Sequence, residues 1–389
     1  MFRIIRVGRQ AVGGAMLIAT LVAFFSSNQF SALKLAFNFW DPFAISQYRL
    51  SRLSAIDYQA SIEQALKQGD VSEAQSLVEL ANDNGHEMPA DLVESTRQSP
   101  FEFGLRNGKD FLDGAITGQV TTPASIGGVL AADYVGIGDA RDAVIQGNHL
   151  IQGEDYDKLT LGLSLVGLAT VIPGSGPMDI GFSLLKTANK AGKLSKTLRT
   201  HLGAIAARLV DLEGLKRGLS RTSMPSFKTP SVAAVRAAFS EIDWRRAAKG
   251  DFTELRKPIS EMMPMDIEAA KNAFRGAVRK EAVDEVRALA SGVTGIVESG
   301  GVKAAFLATE YADDAEDLSR FRSLSARMGE KTAAVLKKLG KGAIKLGELA
   351  YLVISVSIAV IGWFAGAVWF VFSLIRSLRR LIRHRGALA

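Results

Sequence analysis

The chain contains no cysteine, which excludes disulfides, thiolate metal sites and cysteine nucleophiles while leaving the compartment open. Histidine is almost as scarce. His86, His149, His201 and His384 lie in separate segments, and none has a second histidine or a carboxylate at a metal-ligand spacing beyond chance. The glycine patterns that cradle phosphates or dinucleotides, and the Gly-x-Ser-x-Gly of nucleophile elbows, do not occur in a strand-turn-helix setting. The chain therefore reads as non-enzymatic, with no catalytic residue, no metal and no cofactor. Strand-period alternation is also nearly absent, so the expected fold class is all-α.

Charge is what the middle of the chain lacks in net terms. The formal charge is +7, but Arg3, Arg6 and Arg9 precede every acidic residue, and Arg376, Arg379, Arg380, Arg383 and Arg385 follow the last one. Removing these eight from the 47 basic residues leaves 39 against 40 acids. Basicity thus belongs to the two ends, and nucleic acid is not an expected partner. The interior is nonetheless polarised: residues 31–180 carry 9 basic and 20 acidic residues, and residues 181–348 carry 30 and 20. Two lobes whose solvated faces attract each other explain this imbalance; a basic surface that meets a partner or phospholipid is the alternative.

Long apolar runs are present at both ends. From Leu349 to Ile375 no residue is charged, and at about 1.5 Å per residue such a helix crosses a hydrocarbon core of roughly 30 Å with some tilt. Ala11 to Phe25 forms a shorter run behind the three N-terminal arginines, as in an uncleaved signal anchor. Phe30, Phe37, Phe39, Trp40 and Phe43 follow, the residue types that gather at a bilayer interface or open a soluble core. The arginines before the first run, with only Lys34 close behind it, set both termini in the cytoplasm and the central region in the periplasm of a bacterial inner membrane. Lys331, Lys337, Lys338, Lys341 and Lys345 balance the arginines after the C-terminal run, so the N-terminus carries the orientation. The lipid bilayer is the expected partner. Gly362 and Gly366 form a G-x-x-x-G spacing, a possible helix–helix contact through which the chain could meet another protein or itself.

Between the ends, the chain divides into a helical region at 31–110, a Gly-rich helical region at 111–217, a Ser/Pro/Gly linker at 218–230 and a basic helical region at 231–348. A membrane helix at 349–375 and an Arg-rich tail at 376–389 complete it. Apolar spacing over residues 58–85, with a break at Gly69 and Asp70, predicts an αα-hairpin of tetratricopeptide-like pattern without a second copy. Residues 183–217 read as helical, and further helices are expected at 231–248, 264–292, 300–328 and 330–345. The uncharged stretches 114–132 and 159–178 are too short in their apolar core to span a bilayer comfortably, so they are read as soluble core, with a membrane-inserting hairpin as the alternative. Asp133, Asp139 and Asp142, around Gly136 and Gly138, are read as helix caps rather than cation ligands. The acidic run Glu310, Asp313, Asp314, Glu316 and Asp317 is read as a solvated face or a helix start.

One segment is similar to a known family. Val135-Gly-Ile-Gly-Asp139, Leu150-Ile-x-Gly-Glu154 and Ile172-Pro-Gly-Ser-Gly176 punctuate two apolar helices. Residues ~135–195 in this way resemble the Gly-rich pretoxin hairpin of bacterial polymorphic toxins, about 60 residues of the chain. The resemblance implies a local helical hairpin; no nuclease-like cluster of His, Asp and Lys follows it. The function these features imply is a scaffold or interaction domain held at the membrane, with a toxin-related or pore-forming effector as the alternative.

Overall fold

A computed structural model of the chain describes residues 12–16, 18–20, 22, 29–97, 114–115, 117–119, 123–134, 136–170, 178–221, 242–243, 246–247, 251–262, 266–279 and 283–385. Among these every regular element is a helix, and the β-type contact is an isolated bridge between Val210 and Val278. The all-α expectation is met. The chain separates into two compact units, Met1–Arg52 with Lys345–Ala389, and Leu53–Ile344. The smaller unit contains helical turns in the N-terminal apolar segment, then α1 (Gln29–Phe37) and α2 (Pro42–Leu50). Asp41 starts α2: its carboxylate accepts from the Phe43 N–H at 3.0 Å, and Pro42 has no N–H to leave unsatisfied.

The larger unit opens with the expected hairpin, α3 (Ala55–Lys67) and α4 (Val71–Asp83), followed by the short α5 (Ala90–Ser95). Ser54 and Asp57 close a reciprocal capping box on α3, and Asp70 caps α4 across the turn at Gly69, whose φ of 71° suits glycine. Next come α6 (Pro123–Tyr134), α7 (Ile137–Gln152), α8 (Lys158–Thr170), α9 (Met178–Lys190), α10 (Lys196–Leu209) and α11 (Leu212–Leu219). From Leu159 to Leu168 every residue of α8 is buried, and α8 packs on α7, α9 and α10. The uncharged stretch is therefore the axis of a core, in line with the soluble-core reading. Gly162 lets α10 come close, since a Cβ there would lie 2.9 Å from that of Ala206.

Beyond it lie α12 (Arg256–Met262), α13 (Ile267–Phe274), α14 (Val283–Tyr311), α15 (Ala315–Met328) and α16 (Thr332–Leu339). These boundaries correct three expectations. Residues 264–292 are not one helix: α13 stops at Phe274, which is wholly buried beside Leu215, Leu161 and Leu165, and the chain then turns to bridge Val210. Periodicity continues across that break because apolar residues on both sides are buried, Ala270 and Phe274 before it and Val286 and Leu289 after it. The helix expected at 300–328 is also two. Its expected start coincides with the break in α14 at Gly301, but α14 ends at Tyr311, and Asp314 starts α15 by accepting from the Asp317 N–H at 2.8 Å. The acidic run is thus partly a helix start, but it is not all solvated: Asp317 is buried, and Asp313 and Asp317 both face Lys341. The region expected as one helix at 330–345 contains α16 between two short 3-10 turns. Most of the helix expected at 231–248, and residues 222–230 of the linker, lie outside the described residues; residues 218–221 belong to the end of α11 and its turn.

The polarised interior also finds its use in the larger unit. Lys337 meets the buried Glu73 at 2.8 Å, and Lys303 reaches Glu73 at the same distance while also holding Asp70. Lys331 pairs with Asp83 at 2.6 Å. The basic half thereby clamps the acidic hairpin, so the two halves attract within one compact unit rather than as two lobes.

The smaller unit is completed by α17 (Leu349–Arg385), which within Leu349–Arg376 is the one described helix long and apolar enough to cross a membrane. Leu35, Ile45 and Val353 form its core, and the Arg49 guanidinium donates to the Leu346 carbonyl at 3.0 Å. Further along, the Trp363 indole donates to the Thr20 hydroxyl at 3.4 Å, and Phe370 lies against Gly13 and Gly14. Seven residues forward in the N-terminal segment match seven residues back in α17. The two apolar segments therefore run antiparallel, side by side.

Two glycines in the larger unit predict opposite effects of adding a methyl group. Gly301 interrupts α14 at φ 84° and ψ 169°, a conformation closed to other residues, whereas Gly203 is regular helix in α10 with nothing near its absent Cβ. Gly301→Ala should cost roughly 1–3 kcal/mol and Gly203→Ala should gain roughly 0.5–1 kcal/mol in urea unfolding of the detergent-solubilised protein.

Candidate functional site: a buried ion cluster

The three aspartates read from sequence as caps do not cap. Gly136, in the left-handed region at φ 81°, stands where a capping side chain would, and no side chain caps α7. Asp133 from the last turn of α6 and Asp139 and Asp142 from α7 point inward instead, to Lys186 of α9. The physical reason is the geometry of the turn. Asp139 and Asp142 are three residues apart and share a face of α7, and the turn at Gly136 brings the end of α6 against that face.

Lys186 is completely buried, and its Nζ donates to Asp133 Oδ1 at 2.7 Å and to Asp139 Oδ1 at 2.5 Å, with Asp142 Oδ2 at 3.0 Å. Asp142 receives two further cations, Lys190 at 2.6 Å and Arg141 Nε at 3.0 Å. Arg141 is itself 1% exposed and donates through Nη1 to the Ala115 carbonyl at 2.8 Å. Beside the cluster, Asp157 caps α8 through the N–H groups of Leu159 and Thr160 and accepts from Asn189 of α9 at 2.5 Å. Lys186, Asn189 and Lys190 recur at helical spacing, so one face of α9 carries all of these donors but Arg141.

Glycines make room for these charges. A Cβ on Gly138 would lie 2.0 Å from Asp133 Oδ1, one on Gly167 2.1 Å from Asp139 Oδ2, and one on Gly118 2.3 Å from the Arg141 guanidinium. The Gly-rich character of the region is thus more than turn chemistry. It lets polar heads lie directly on helix backbone.

Burial and charge pull the three carboxyls apart. Burial pushes Asp139 up to about 7 against the attraction of Lys186, and it raises Asp133 in the same way. Asp142 is equally buried, yet Arg141, Lys186 and Lys190 together outweigh that penalty and hold it well below the usual carboxylate range. Burial alone would lower Lys186, but Asp133, Asp139 and Asp142 hold it above its ordinary value. Its ammonium is therefore fixed as a cation, unsuited to act as a nucleophile, and sealed from solvent. What this arrangement does is pin α6, α7 and α9 to one another.

The other candidates stay apart. His86 bonds the Leu53 carbonyl at 3.0 Å and packs on Tyr58, His149 stands 3.7 Å from Glu154 at the surface, and His201 is exposed. No group of three or more metal-ligating side chains occurs among the described residues. A Cβ on Gly362 or Gly366 would meet nothing, so the intramolecular helix contact of α17 falls on Gly13 and Gly14 instead. Arg376 and Arg379 are exposed, Arg380, Arg383 and Arg385 continue α17, and Arg3, Arg6 and Arg9 lie outside the described residues. Sequence reading missed Lys186, Lys190 and Arg141. The available signal was a lone lysine in the apolar face of GFSLLKTANK, beside lone aspartates in otherwise uncharged or glycine-flanked helices. Comparison with protein families, curated proteins and solved structures finds no match for this chain.

Lys186→Met removes the shared cation and should cost about 3–5 kcal/mol near pH 8. Without it the folded-state carboxyls of Asp133 and Asp139 rise further above their unfolded values. Such groups stabilise below the unfolded pKa and lose that contribution as pH rises through the folded one. The deficit relative to the parent should therefore shrink as pH falls from about 8 to about 5, as measured by urea midpoints across that range.

Proposed function

We propose that this chain is a non-enzymatic protein of the bacterial inner membrane, in which two antiparallel apolar helices hold a helical interaction domain at the periplasmic face. The observation that carries this reading is the pairing of the N-terminal segment with α17, from Leu35 beside Val353 to Gly13 beside Phe370. A signal peptide destined for removal has no use for an interface along its length; a permanent anchor does. Tyr351, Ile354, Ile358, Ile361, Phe364 and Trp369 are exposed on the remaining surface of α17, a face suited to hydrocarbon. The arginines at both ends then lie on the cytoplasmic side with both termini, following the preference of Lys and Arg for that side. The larger unit, its acidic hairpin and basic helices neutralising each other, is a compact unit whose exposed surface is free to meet other proteins. Reporter fusions at residue 60 and residue 220 should both report the periplasm, and cytoplasmic signal at both would overturn the topology.

A second reading, a toxin-related or pore-forming effector, draws on one observation. The helix α8, uncharged beyond Lys158, is sheathed by charged helices, an arrangement that could carry an insertable segment in soluble form. The scaffold reading expects dye-loaded anionic vesicles to keep their contents when the full-length protein is reconstituted into them; rapid leakage would favour the effector.

A further inference from the structure

The ion cluster holds three carboxylates and three cations, but the cations are not shared evenly. Of its six charged groups, Asp142 is satisfied by Arg141 and Lys190, and the side chain of Lys190 retains 15% exposure at the edge of the cluster. That leaves Asp133 and Asp139 to share Lys186. The five deepest groups, Asp133, Asp139, Asp142, Arg141 and Lys186, carry three negative charges against two positive ones, all with side chains at most 7% exposed. Asp133 Oδ2 is also buried with no hydrogen-bond partner among the described residues. An unsatisfied carboxylate oxygen in such a place is strongly unfavourable unless something neutralises it.

We infer that Asp133 and Asp139 bind one proton between them, making the joint of α6, α7 and α9 a proton-binding site that tightens as pH falls across neutrality. The proton attaches to a carboxylate oxygen, no bond to carbon changes, and its source is solvent. Both carboxyls lie on Lys186 Nζ, so either can hold the proton while the other keeps the ion pair. Among the described residues, the charges acting on the pair are those of the cluster itself, Lys186, Asp142, Arg141 and Lys190. α8 brings Gly167 to Asp139 while its Asp157 is turned to Asn189, α14 meets α9 through Ala290 and Thr294 at Gly181, and the segment before α6 offers the Ala115 carbonyl to Arg141. The rise of Asp139 to about 7 agrees with this geometry. A carboxyl raised in the folded state makes folding stronger at lower pH, so uptake of one proton should strengthen the folding equilibrium roughly tenfold between about pH 8 and pH 6.

Two measurements on the full-length protein in detergent test the inference. The first compares urea midpoints at about pH 8 and pH 6 in the parent and in Asp139→Asn and Asp133→Asn. The parent should gain the roughly tenfold shift relative to each variant, because either amide replaces the protonated carboxyl. The second needs no variant: the infrared carbonyl stretch of a buried carboxylic acid should appear in the folded parent as pH falls through about 7. A parent with no such band and no extra stabilisation would overturn the inference, as would a pH dependence that survives intact in both variants. If either amide variant fails to fold, the infrared titration of the parent decides.

Discussion

The larger unit depends on one lysine. Lys186 sits at zero exposure where α6, α7 and α9 converge, and each of its short contacts goes to a carboxylate that is itself buried. A charge moved from water into such a place is opposed by a desolvation cost of several kcal/mol, and the attraction of its partners offsets that cost only when their geometry is fixed. The aspartates are held by two helices and the turn at Gly136, and the lysine by α9, so the helices cannot slide past one another without separating ions. Apolar packing alone would tolerate several registers for helices as smooth as α6 and α8. The ion cluster selects one.

Glycine is the complement of that constraint. A helix bearing Ala at 138 or 167 would drive a methyl group into Asp133 or Asp139, and a residue with any side chain at 118 would collide with Arg141. The Gly-rich hairpin therefore combines two uses of the same residue, left-handed turns at Gly136 and Gly153 and flat helix surface against which charges can lie. A second, more exposed set of ions works outside this core. Glu73, Asp70 and Asp83 take lysines from α14, the turn before α16 and α16 itself, which explains how a chain with strongly polarised halves folds into a unit that is nearly neutral.

In the smaller unit the constraint is of another kind. Here helices meet through small and aromatic residues, Gly13 and Gly14 beneath Phe370 and Thr20 beside Trp363, and through the Leu35, Ile45 and Val353 cluster. Close approach and dispersion are what would carry such a contact inside a bilayer, where no water drives helices together. The glycine pair that stands out in the sequence, Gly362 and Gly366, lies on the open side of α17, and the pair that makes contact within the chain is the less conspicuous one near the N-terminus.

The sequence by itself determined the helical class, the αα-hairpin at 58–85, the apolar run of α17 and the opposition of charge between the two halves. Each is a local or additive property: periodicity, length and net charge do not depend on what lies across the fold. It also placed Asp133, Asp139 and Asp142 near a helix start, but their spacing along the chain suits a cap as well as a cluster. Only the tertiary structure decided between them, because Lys186 is 47 residues from Asp139 and 53 from Asp133, and no pattern in one segment reports its partner in another. The same holds for the break after Phe274 and the antiparallel partner of α17. Burial and pairing arise when distant segments meet, and they set the energies that a local pattern leaves undetermined.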